Sequence, residues 1–292
     1  MTAPPSVVGP GLDASFTYCR RLTKRTAKNF YYSFLTLPAD VRRDMCALYA
    51  YMRVCDDLGD EAAVPVETRR ARLAEWRRDV VRALEAGETA HPVLPALAEV
   101  ARRRGVPADA LLDVVDGVEM DLSPVRYETF GALADYCYHV AGAVGVCCIH
   151  VWGFEGSAAR ERAIDCGLAF QLTNILRDLA EDSRMGRVYL PAEDLDRFGY
   201  GPDEIAAGVI DDRFRRLMAF QVARARDYYR RSEPLSRDVA PAGRPVLAAM
   251  RRIYGGLLDE IERRDYDVFR GRVSLPRWKK LAIAAAAMWR GR

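Results

Sequence analysis

The sequence has no apolar run near the roughly 20 residues that a membrane-spanning helix needs, and its longest candidate runs only from Leu281 to Trp289. The Pro-rich start, Met1 to Pro10, lacks the basic and apolar regions of a secretory signal peptide. Alternating β-branched runs, which predict strands, are almost absent. We therefore expect a cytoplasmic, helical protein without a membrane span.

Basic residues are scattered among acids, and the formal net charge is only +3, which gives no case for a nucleic-acid-binding protein. The seven cysteines are odd in number and include no C-x-x-C pair, so we interpret them as small buried hydrophobes in a reducing compartment. Three histidines are too few for a carboxylate–histidine di-iron bundle. No P-loop, G-x-G-x-x-G or G-x-S-x-G motif is present.

Helical patterning covers most of the chain instead. Ala, Leu, Arg and Glu dominate, and apolar positions recur every three and four residues. We predict a flexible segment at 1–12 and one all-α domain at 13–292, with the longest irregular stretch at 183–200, where loops beside a site often act as lids. The predicted helices are 13–36, 40–60, 67–87, 92–104, 107–122, 129–152, 157–182, 209–232, 243–268 and 275–290.

Two short acidic motifs lie inside apolar, helix-patterned segments. Asp56 and Asp60 share one helix face because they are four residues apart, and so do Asp178 and Asp182. Like charges at this spacing cost a few tenths of a kcal/mol, and more when they are partly buried, so each pair needs a cation. Carboxylate oxygens suit Mg²⁺, which substrate phosphates often complete. Two facing motifs with Mg²⁺ between them would bind a diphosphate.

The second motif is the more specific one. Gln171 and Asn174 precede it on the same helical stripe, and an apolar lead-in stands at 166–170. An uninterrupted polar stripe on such a helix predicts the wall of a polar cavity. For the first motif, a solvated helix end is the alternative, because an isolated D-D-x-x-D is common. The presence of both motifs in one chain favours metal binding.

Arginines accompany both motifs. Arg53 lies three residues before Asp56 on the same face, where it would bind a phosphate or balance the carboxylates. Arg177 and Arg187 bracket the second motif. For each arginine taken singly, a surface ion pair that contributes little to stability is the alternative interpretation.

Glycines and aromatic residues are placed where a ligand would need them. Gly142 and Gly145 interrupt a predicted helix, at a cost of up to about 1 kcal/mol each relative to alanine. They permit a close helix crossing, a kink or space for a ligand. Phe30 and Tyr31 line a long apolar pocket in one interpretation and belong to the core in the other.

Several further segments carry specific patterns in a fixed order. They are 30–34 with 37–38, 56–60, 119–122, 136–145, 171–182 and 186–191. With them the chain resembles the squalene/phytoene synthase family of head-to-head, class I trans-prenyl diphosphate condensing enzymes. The resemblance covers the chain from about Tyr18 to Lys280.

The resemblance implies an isoprenoid-synthase bundle of helices around a central cavity, in which two Asp-rich helices hold Mg²⁺, or Mn²⁺ in its place. It implies that Tyr136 handles a proton or stabilises a carbocation, and that Arg53 contacts diphosphate. Tyr266 is implied as a further phosphate contact. The implied metal ligands are Asp56, Asp60, Asn174, Asp178 and Asp182, with Gln171 beside them.

The implied reaction is a 1′–1 condensation of two prenyl diphosphates through a cyclopropylcarbinyl diphosphate. The patterns at 126–130, 174–182 and 186–191 resemble phytoene synthases, which use geranylgeranyl diphosphate. A presqualene diphosphate or squalene synthase, which uses farnesyl diphosphate for sterol, hopanoid or C30 carotenoid supply, is the alternative. Members that use NADPH also lack a Rossmann motif, so NADPH use stays open. We expect peripheral contact with the inner face of the membrane for product release, and we make no prediction of oligomeric state.

Two rival classes make different predictions. A head-to-tail synthase or terpene cyclase of the same fold would lack the 136–145 signature. A non-catalytic helical lipid-binding or assembly protein would have lost metal ligands, whereas all four aspartates of the two motifs are present here.

Overall fold

The computed structural model describes residues 11–27, 34–61, 63–87, 89–123 and 126–276, together with 278, 279, 282, 283 and 286. Its regular elements are helices, and the only β-type pairing among these residues is two isolated bridges. The predicted all-α, single-domain fold is therefore confirmed. The helices are α1 Leu12–Thr26, α2 Ala39–Asp60, α3 Val66–Ala86, α4 Leu94–Arg104, α5 Ala108–Met120, α6 Phe130–Cys137, α7 Ala143–Trp152, α8 Ala159–Arg184, α9 Ala192–Phe198, α10 Pro202–Ala207, α11 Asp212–Arg231, α12 Leu235–Asp238 and α13 Arg244–Arg263.

Three helix predictions need correction. The helix predicted at 13–36 ends at Thr26, and 28–33 lie outside the described residues. The stretch predicted to be irregular at 183–200 contains α9. Its seven residues are too few to show a helical period. The helix begins after Pro191 and is capped by Gly199, whose φ is 61°. The helix predicted at 243–268 ends at Arg263. Most of the predicted helix at 275–290 lies outside the described residues, and the 1–12 boundary stays a prediction.

The long helix α8 is central to the fold, because it packs against α11, α13 and the 130–152 segment. A Cβ on Gly167 would lie 2.4 Å from the carbonyl oxygen of Ala141, and one on Gly145 would lie 2.7 Å from that of Ala163. These glycines let two helix backbones cross almost in contact. A close crossing is thus the interpretation of Gly145 that the structure supports.

A π-helical turn at Tyr138–Gly142 joins α6 to α7 at this crossing. Such turns often occur at functional sites, since the extra residue redirects the side chains around it. The buried core forms two clusters, one mainly on α1–α5 and α7 and the other mainly on α8–α13. Tyr138 and Ile164 pack against both clusters, so the π-helical turn lies where the two halves of the core meet.

Phe130–Trp152 is long and apolar enough to cross a membrane by length and composition alone, and it is the one such helix among the described residues. This stretch is longer than the apolar runs counted in the sequence. It packs against α5 and α8, and 44% of its most apolar window is buried inside the protein. All seven cysteines are unpaired and six are buried, as predicted. Burial raises the pKa of the Cys19 thiol to about 12.

Candidate active site

The first acidic motif forms the last turn of α2, which contains no basic residue. Acidic groups at a helix C-terminus oppose the helix dipole, so the last turn of α2 destabilises its own carboxylates. Asp56 is reached by solvent, yet surrounding protein limits its hydration. That burial, followed by the charge of Asp60, raises the pKa of Asp56 to about 6. The neighbouring charge of Asp60 disfavours ionisation of Asp56, and a bound cation would relieve this.

Tight packing fixes the end of α2. A Cβ on Gly59 would lie 2.4 Å from Cγ1 of Val118, so only glycine lets α2 approach α5 this closely. The Arg69 guanidinium donates to the carbonyl oxygen of Gly59 at 2.6 Å and caps the helix. The acidic turn is therefore held rigidly at its position.

The shared helix face suggested that Arg53 bonds to Asp56. It bonds instead to Asp57, on the solvent side. Its Nε is buried and has no hydrogen-bond partner among the described residues. A buried, unpaired N–H of a charged group costs about 1–3 kcal/mol. The structure therefore leaves one donor of Arg53 available to an anion.

The second motif lies on α8, with its polar residues on one face of the helix. Nδ2 of Asn174 donates to Oε1 of Gln171 at 3.3 Å. Oδ1 of Asn174 is buried and accepts no hydrogen bond from the described residues. An unsatisfied buried acceptor of this kind indicates a missing donor or cation.

Asp178 is held between two arginines. Nε of Arg177 donates to it at 2.8 Å and Nε of Arg272 donates at 3.0 Å. Arg272 comes from the loop after α13, and a cavity of about 70 Å³ adjoins both residues. The sequence analysis predicted Arg177 here but missed Arg272, which lies 94 residues away along the chain.

Asp182 lies one turn further along α8. Burial, followed by the negative charge of Asp178, raises the pKa of the Asp182 carboxyl to about 7, and the Arg187 guanidinium opposes this shift. The backbone N–H of Arg187 also donates to the carbonyl oxygen of Asp182 at 2.9 Å. Arg187 therefore lies beside the second motif, as predicted.

Asp121 connects the two motifs, and the sequence analysis did not single it out as a site residue. Its carboxylate accepts hydrogen bonds from the hydroxyls of Tyr136 and Tyr189, each at 3.0 Å. Burial raises its pKa, and it interacts electrostatically with Asp60. It also contributes to the raised pKa of Asp182. Because Asp121 acts on residues of both motifs, it lies between them.

Tyr136 belongs to a cluster of three tyrosines. Its ring centre lies 5.3 Å from that of Tyr189 and 5.5 Å from that of Tyr127. Burial, followed by the charge of Asp121, raises the pKa of Tyr136, so its hydroxyl stays protonated. The Ala192 N–H donates to the Tyr127 carbonyl at 2.8 Å, which ties the start of α9 to this cluster.

The implied role of Tyr266 as a phosphate contact stays a prediction. This residue follows the end of α13 in a left-handed conformation, with φ of 64°. Its charged neighbours are Glu262, Asp265 and Arg226. Tyr254, on α13 itself, lies beside Asn174 and Arg177 of the second motif.

Phe30 and Tyr31 lie outside the described residues. Their predicted contribution to an apolar pocket stays a prediction.

An all-α bundle with two acid-bearing helices and arginines beside them defines a class of enzymes that act on prenyl diphosphates. The chain belongs to the squalene/phytoene synthase family, whose model matches residues 23–279. It is therefore a prenyltransferase of the head-to-head type.

Similar proteins cover almost the whole chain. A 15-cis-phytoene synthase of Synechococcus elongatus is 39% identical over 99% of this chain and 97% of its own length. A phytoene synthase of Arthrospira platensis is 38% identical over 95% of this chain and 94% of its own.

Solved structures show the same fold. A dehydrosqualene synthase superposes with a TM-score of 0.86 at 28% identity and covers 96% of this chain and 97% of its own. A squalene synthase of Alicyclobacillus acidocaldarius has a TM-score of 0.82 at 29% identity, covering 90% of this chain and 99% of its own.

Proposed function

We propose that this chain is a phytoene synthase, which condenses two molecules of geranylgeranyl diphosphate. One observation carries the proposal: the chain is 38–39% identical, nearly end to end, to cyanobacterial proteins named phytoene synthase. Its identity to the dehydrosqualene and squalene synthase structures is 28–29%. The higher overall identity to the phytoene synthases favours the C20 donor.

The side chains present fit a divalent metal. Among the described residues, no three His, Cys, Asp or Glu side chains converge on one point. The donors are hard oxygens, and Oδ1 of Asn174 lacks a partner among the described residues. Burial, followed by the charge of a neighbouring carboxylate, raises the pKa values of Asp56 and Asp182. This suits Mg²⁺, which keeps several waters and shares its ligands with substrate phosphates. Asp56, Asp60, Asn174, Asp178 and Asp182 would hold it, with Mn²⁺ as the alternative ion.

When bound, such an ion supplies charge neutralisation for a departing diphosphate. The chain's own cations do the same work at fixed positions. Arg53 presents its unpaired Nε, and Arg177 and Arg272 lie over Asp178, from which a diphosphate oxygen would displace them. Arg187 and Gln171 complete the polar wall. We propose that these residues bind the two diphosphates.

The proposed reaction proceeds in two ionisations. Loss of diphosphate from one substrate leaves an allylic cation, and the C2–C3 double bond of the other substrate attacks it. Loss of a proton closes the cyclopropane of prephytoene diphosphate. A second loss of diphosphate, rearrangement and loss of another proton give phytoene. No reductant is consumed, so we propose that the reaction needs no NADPH.

The tyrosine cluster suits the cationic intermediates. Asp121 holds the hydroxyls of Tyr136 and Tyr189, and both rings are largely buried. Aromatic faces stabilise a nearby cation by about 0.5–2 kcal/mol, and the surrounding apolar side chains exclude water that would quench it. We propose that Tyr136 orients the leaving proton or diphosphate through its protonated hydroxyl.

The alternative function is a C15 condensing enzyme that uses farnesyl diphosphate. The observation in its favour is the structural match to a dehydrosqualene synthase, with a TM-score of 0.86. It remains the second candidate, because the lower sequence identity weighs against it.

The test is an assay with Mg²⁺ in which each donor is offered separately, with and without NADPH, and products are identified by mass. We expect a C40 hydrocarbon from geranylgeranyl diphosphate with no NADPH requirement. Faster conversion of farnesyl diphosphate to presqualene diphosphate, dehydrosqualene or squalene would replace the proposal with the alternative. Consumption of neither donor by a folded protein would contradict both.

A further inference from the structure

The start of α9 is attached to α11 by a closed network of three polar side chains. The buried carboxylate of Asp194 accepts hydrogen bonds from Nε2 of Gln221 at 2.9 Å and from the guanidinium of Arg224. The same guanidinium donates to Oε1 of Gln221 at 2.9 Å. Because each member bonds to the other two, the three side chains fix one another's orientation.

Stability alone does not explain a buried ion pair of this kind. The side chains of Arg224 and Asp194 are only 16% and 5% exposed, so both charges are largely removed from water. Exchange of such a pair for apolar side chains of similar volume is often neutral or stabilising. What distinguishes this pair is the set of segments that it joins.

Arg224 contacts a second segment besides α9. Its Cζ lies 4.0 Å from the ring centre of Phe130 and 4.7 Å from that of Phe220. A guanidinium that stacks on aromatic rings and also bonds to a carboxylate has little freedom to move. Phe130 is the first residue of α6, the helix that carries Tyr136. One side chain therefore contacts the start of α9 and the start of α6.

The segments before these two helices also pair directly. A parallel β-bridge joins Arg126 to Val188. Oε1 of Glu193 accepts from the backbone N–H of Phe130 at 2.6 Å, which fixes the start of α6 against the start of α9. Tyr189 directly follows the bridge, so the same pairing places its ring.

Tyr136 and Tyr189 thus belong to the two segments that Arg224 joins. Their ring centres lie 5.3 Å apart, and both hydroxyls donate to Asp121. A shift of one segment against the other would change the overlap of the two rings and the lengths of both hydrogen bonds.

We propose that Arg224, held by Asp194, is a positioning residue for the cluster of Tyr127, Tyr136 and Tyr189. It keeps the stacked rings in place beside the cationic intermediates. This inference rests on the proposed role of the cluster, which is to stabilise those cations and to exclude water. A loosened cluster admits water, whose oxygen bonds to the carbon cation as a proton is released, so an alcohol forms in place of the hydrocarbon.

The test compares Arg224→Lys and Asp194→Asn with the parent. Lysine keeps the charge but lacks the planar group that bonds to Asp194 and stacks on Phe130. We expect kcat for the hydrocarbon to fall about tenfold and KM for the prenyl diphosphate to change less than about threefold, because the binding residues are untouched. The share of product released as prenyl alcohols, measured by mass, should rise. Arg224→Lys is the milder change and keeps the test available if Asp194→Asn does not fold.

Asp44→Asn is the matched control. Asp44 is fully buried and accepts hydrogen bonds from Arg103 and Arg104, which join α2 to α4 in the other half of the core. The control should lose stability in urea as Asp194→Asn does, but keep the parent's ratio of hydrocarbon to alcohol. An equal rise in alcohols in the control would overturn the proposal, since general loosening of the fold would explain it.

A readout without substrate separates the proposal from the proposed reaction. With Tyr189 labelled as fluorotyrosine, a ¹⁹F resonance reports the surroundings of this ring. Arg224→Lys should shift or broaden the resonance, and Asp44→Asn should leave it unchanged. An unchanged resonance in Arg224→Lys would overturn the positioning role, whatever the products are. A shifted resonance with an unchanged ratio of hydrocarbon to alcohol would instead contradict the role of the tyrosine cluster in the reaction.

Discussion

The hydroxyls of Tyr136 and Tyr189 both lie 3.0 Å from the same oxygen, Oδ1 of Asp121. One half-buried carboxylate thus sets the orientation of two stacked phenols. The same carboxylate interacts with Asp60 on α2 and with Arg187 after α8. Asp121 is the point where the tyrosine cluster and both acidic motifs meet.

We predict that Asp121→Asn lowers kcat about tenfold to hundredfold, because hydrogen bonds to a charged acceptor contribute about 1.5–3 kcal/mol. The amide keeps the shape of the site, but its neutral oxygen accepts weaker hydrogen bonds from the two phenols than the charged carboxylate does. KM for the prenyl diphosphate should change less. Steady-state kinetics at saturating Mg²⁺ measure this split. Asp113→Asn is the control, because Asp113 accepts from Tyr138 in a similar pair outside the cluster; an equal loss of kcat there would contradict the prediction.

Tyr254 and Tyr266 provide a paired test of the site boundary. We predict that Tyr254→Phe weakens diphosphate binding about fivefold, the effect of one neutral hydrogen bond, because Tyr254 lies beside Asn174 and Arg177. Tyr266→Phe should leave binding unchanged. Inhibition constants for inorganic diphosphate report both effects. The reverse order of the two variants would support Tyr266 as the phosphate contact.

The raised pKa of Asp182 should make the stability of the metal-free protein depend on pH. The folded state raises the pKa of this carboxyl from 3.8 to about 7. The folded protein therefore keeps a proton that the unfolded chain releases, and stability falls as pH rises through this window. We predict that Asp182→Asn unfolds at higher urea concentration than the parent near pH ~8, and that this difference shrinks as pH falls and vanishes near pH ~3, below the pKa of the unfolded chain.

With Mg²⁺ present, Asp182→Asn should be less stable than the parent. An ion that binds the folded state stabilises it, and the variant has lost one carboxylate that would hold the ion. Asp196→Asn, on the exposed side of α9, is the control and should match the parent at both pH values. If Asp182→Asn were less stable than the parent near pH ~8 without metal, the carboxylate would have a local partner that the structure does not show.

The close helix crossing at Gly167 predicts that a side chain at this position strongly destabilises the protein. Gly167→Ala would drive a Cβ to within 2.4 Å of the Ala141 carbonyl oxygen, and backbone atoms cannot move away easily. We expect a loss of about 1–3 kcal/mol in the free energy of unfolding, measured in urea.

Gly255→Ala is the matched control for this crossing, because it sits inside α13 with open space around it. It should gain up to about 1 kcal/mol through helix propensity. Equal changes in the free energy of unfolding for Gly167→Ala and Gly255→Ala would contradict the close helix crossing.

Local patterns were sufficient to predict the long helices and the faces of both acidic motifs, but not the short helices α9, α10 and α12. Apolar periodicity located α2, α8 and most other long helices, because each buries one face. The spacing of four residues put Asp56 beside Asp60 and Asp178 beside Asp182, since helix geometry alone decides it. Gly145 was recognised because glycine inside a helix is costly, although the crossing partner was not readable.

Contacts between distant segments were not predictable from spacing. Asp121 meets Tyr189 across 68 residues, and Arg272 meets Asp178 across 94. No local rule joins such residues. Arg53 had two acidic neighbours on its helix, at three and four residues, and only the side-chain conformation decides between them. The early end of α13 at Arg263, followed by a left-handed turn without glycine at Asp265 and Tyr266, was also not predictable from the helical pattern.

The central claim is that the two acidic motifs form one diphosphate site. It is tested most directly by a double-mutant cycle on binding of geranylgeranyl thiolodiphosphate, an unreactive analogue, measured by calorimetry with and without Mg²⁺. The variants are Asp56→Asn, Asp178→Asn and the pair, with Asp57→Asn as a control that should bind within about threefold of the parent. We predict Mg²⁺-dependent binding that each single variant weakens, with an interaction energy of about 0.5–3 kcal/mol between them. Losses that add within about 0.5 kcal/mol would contradict a shared site.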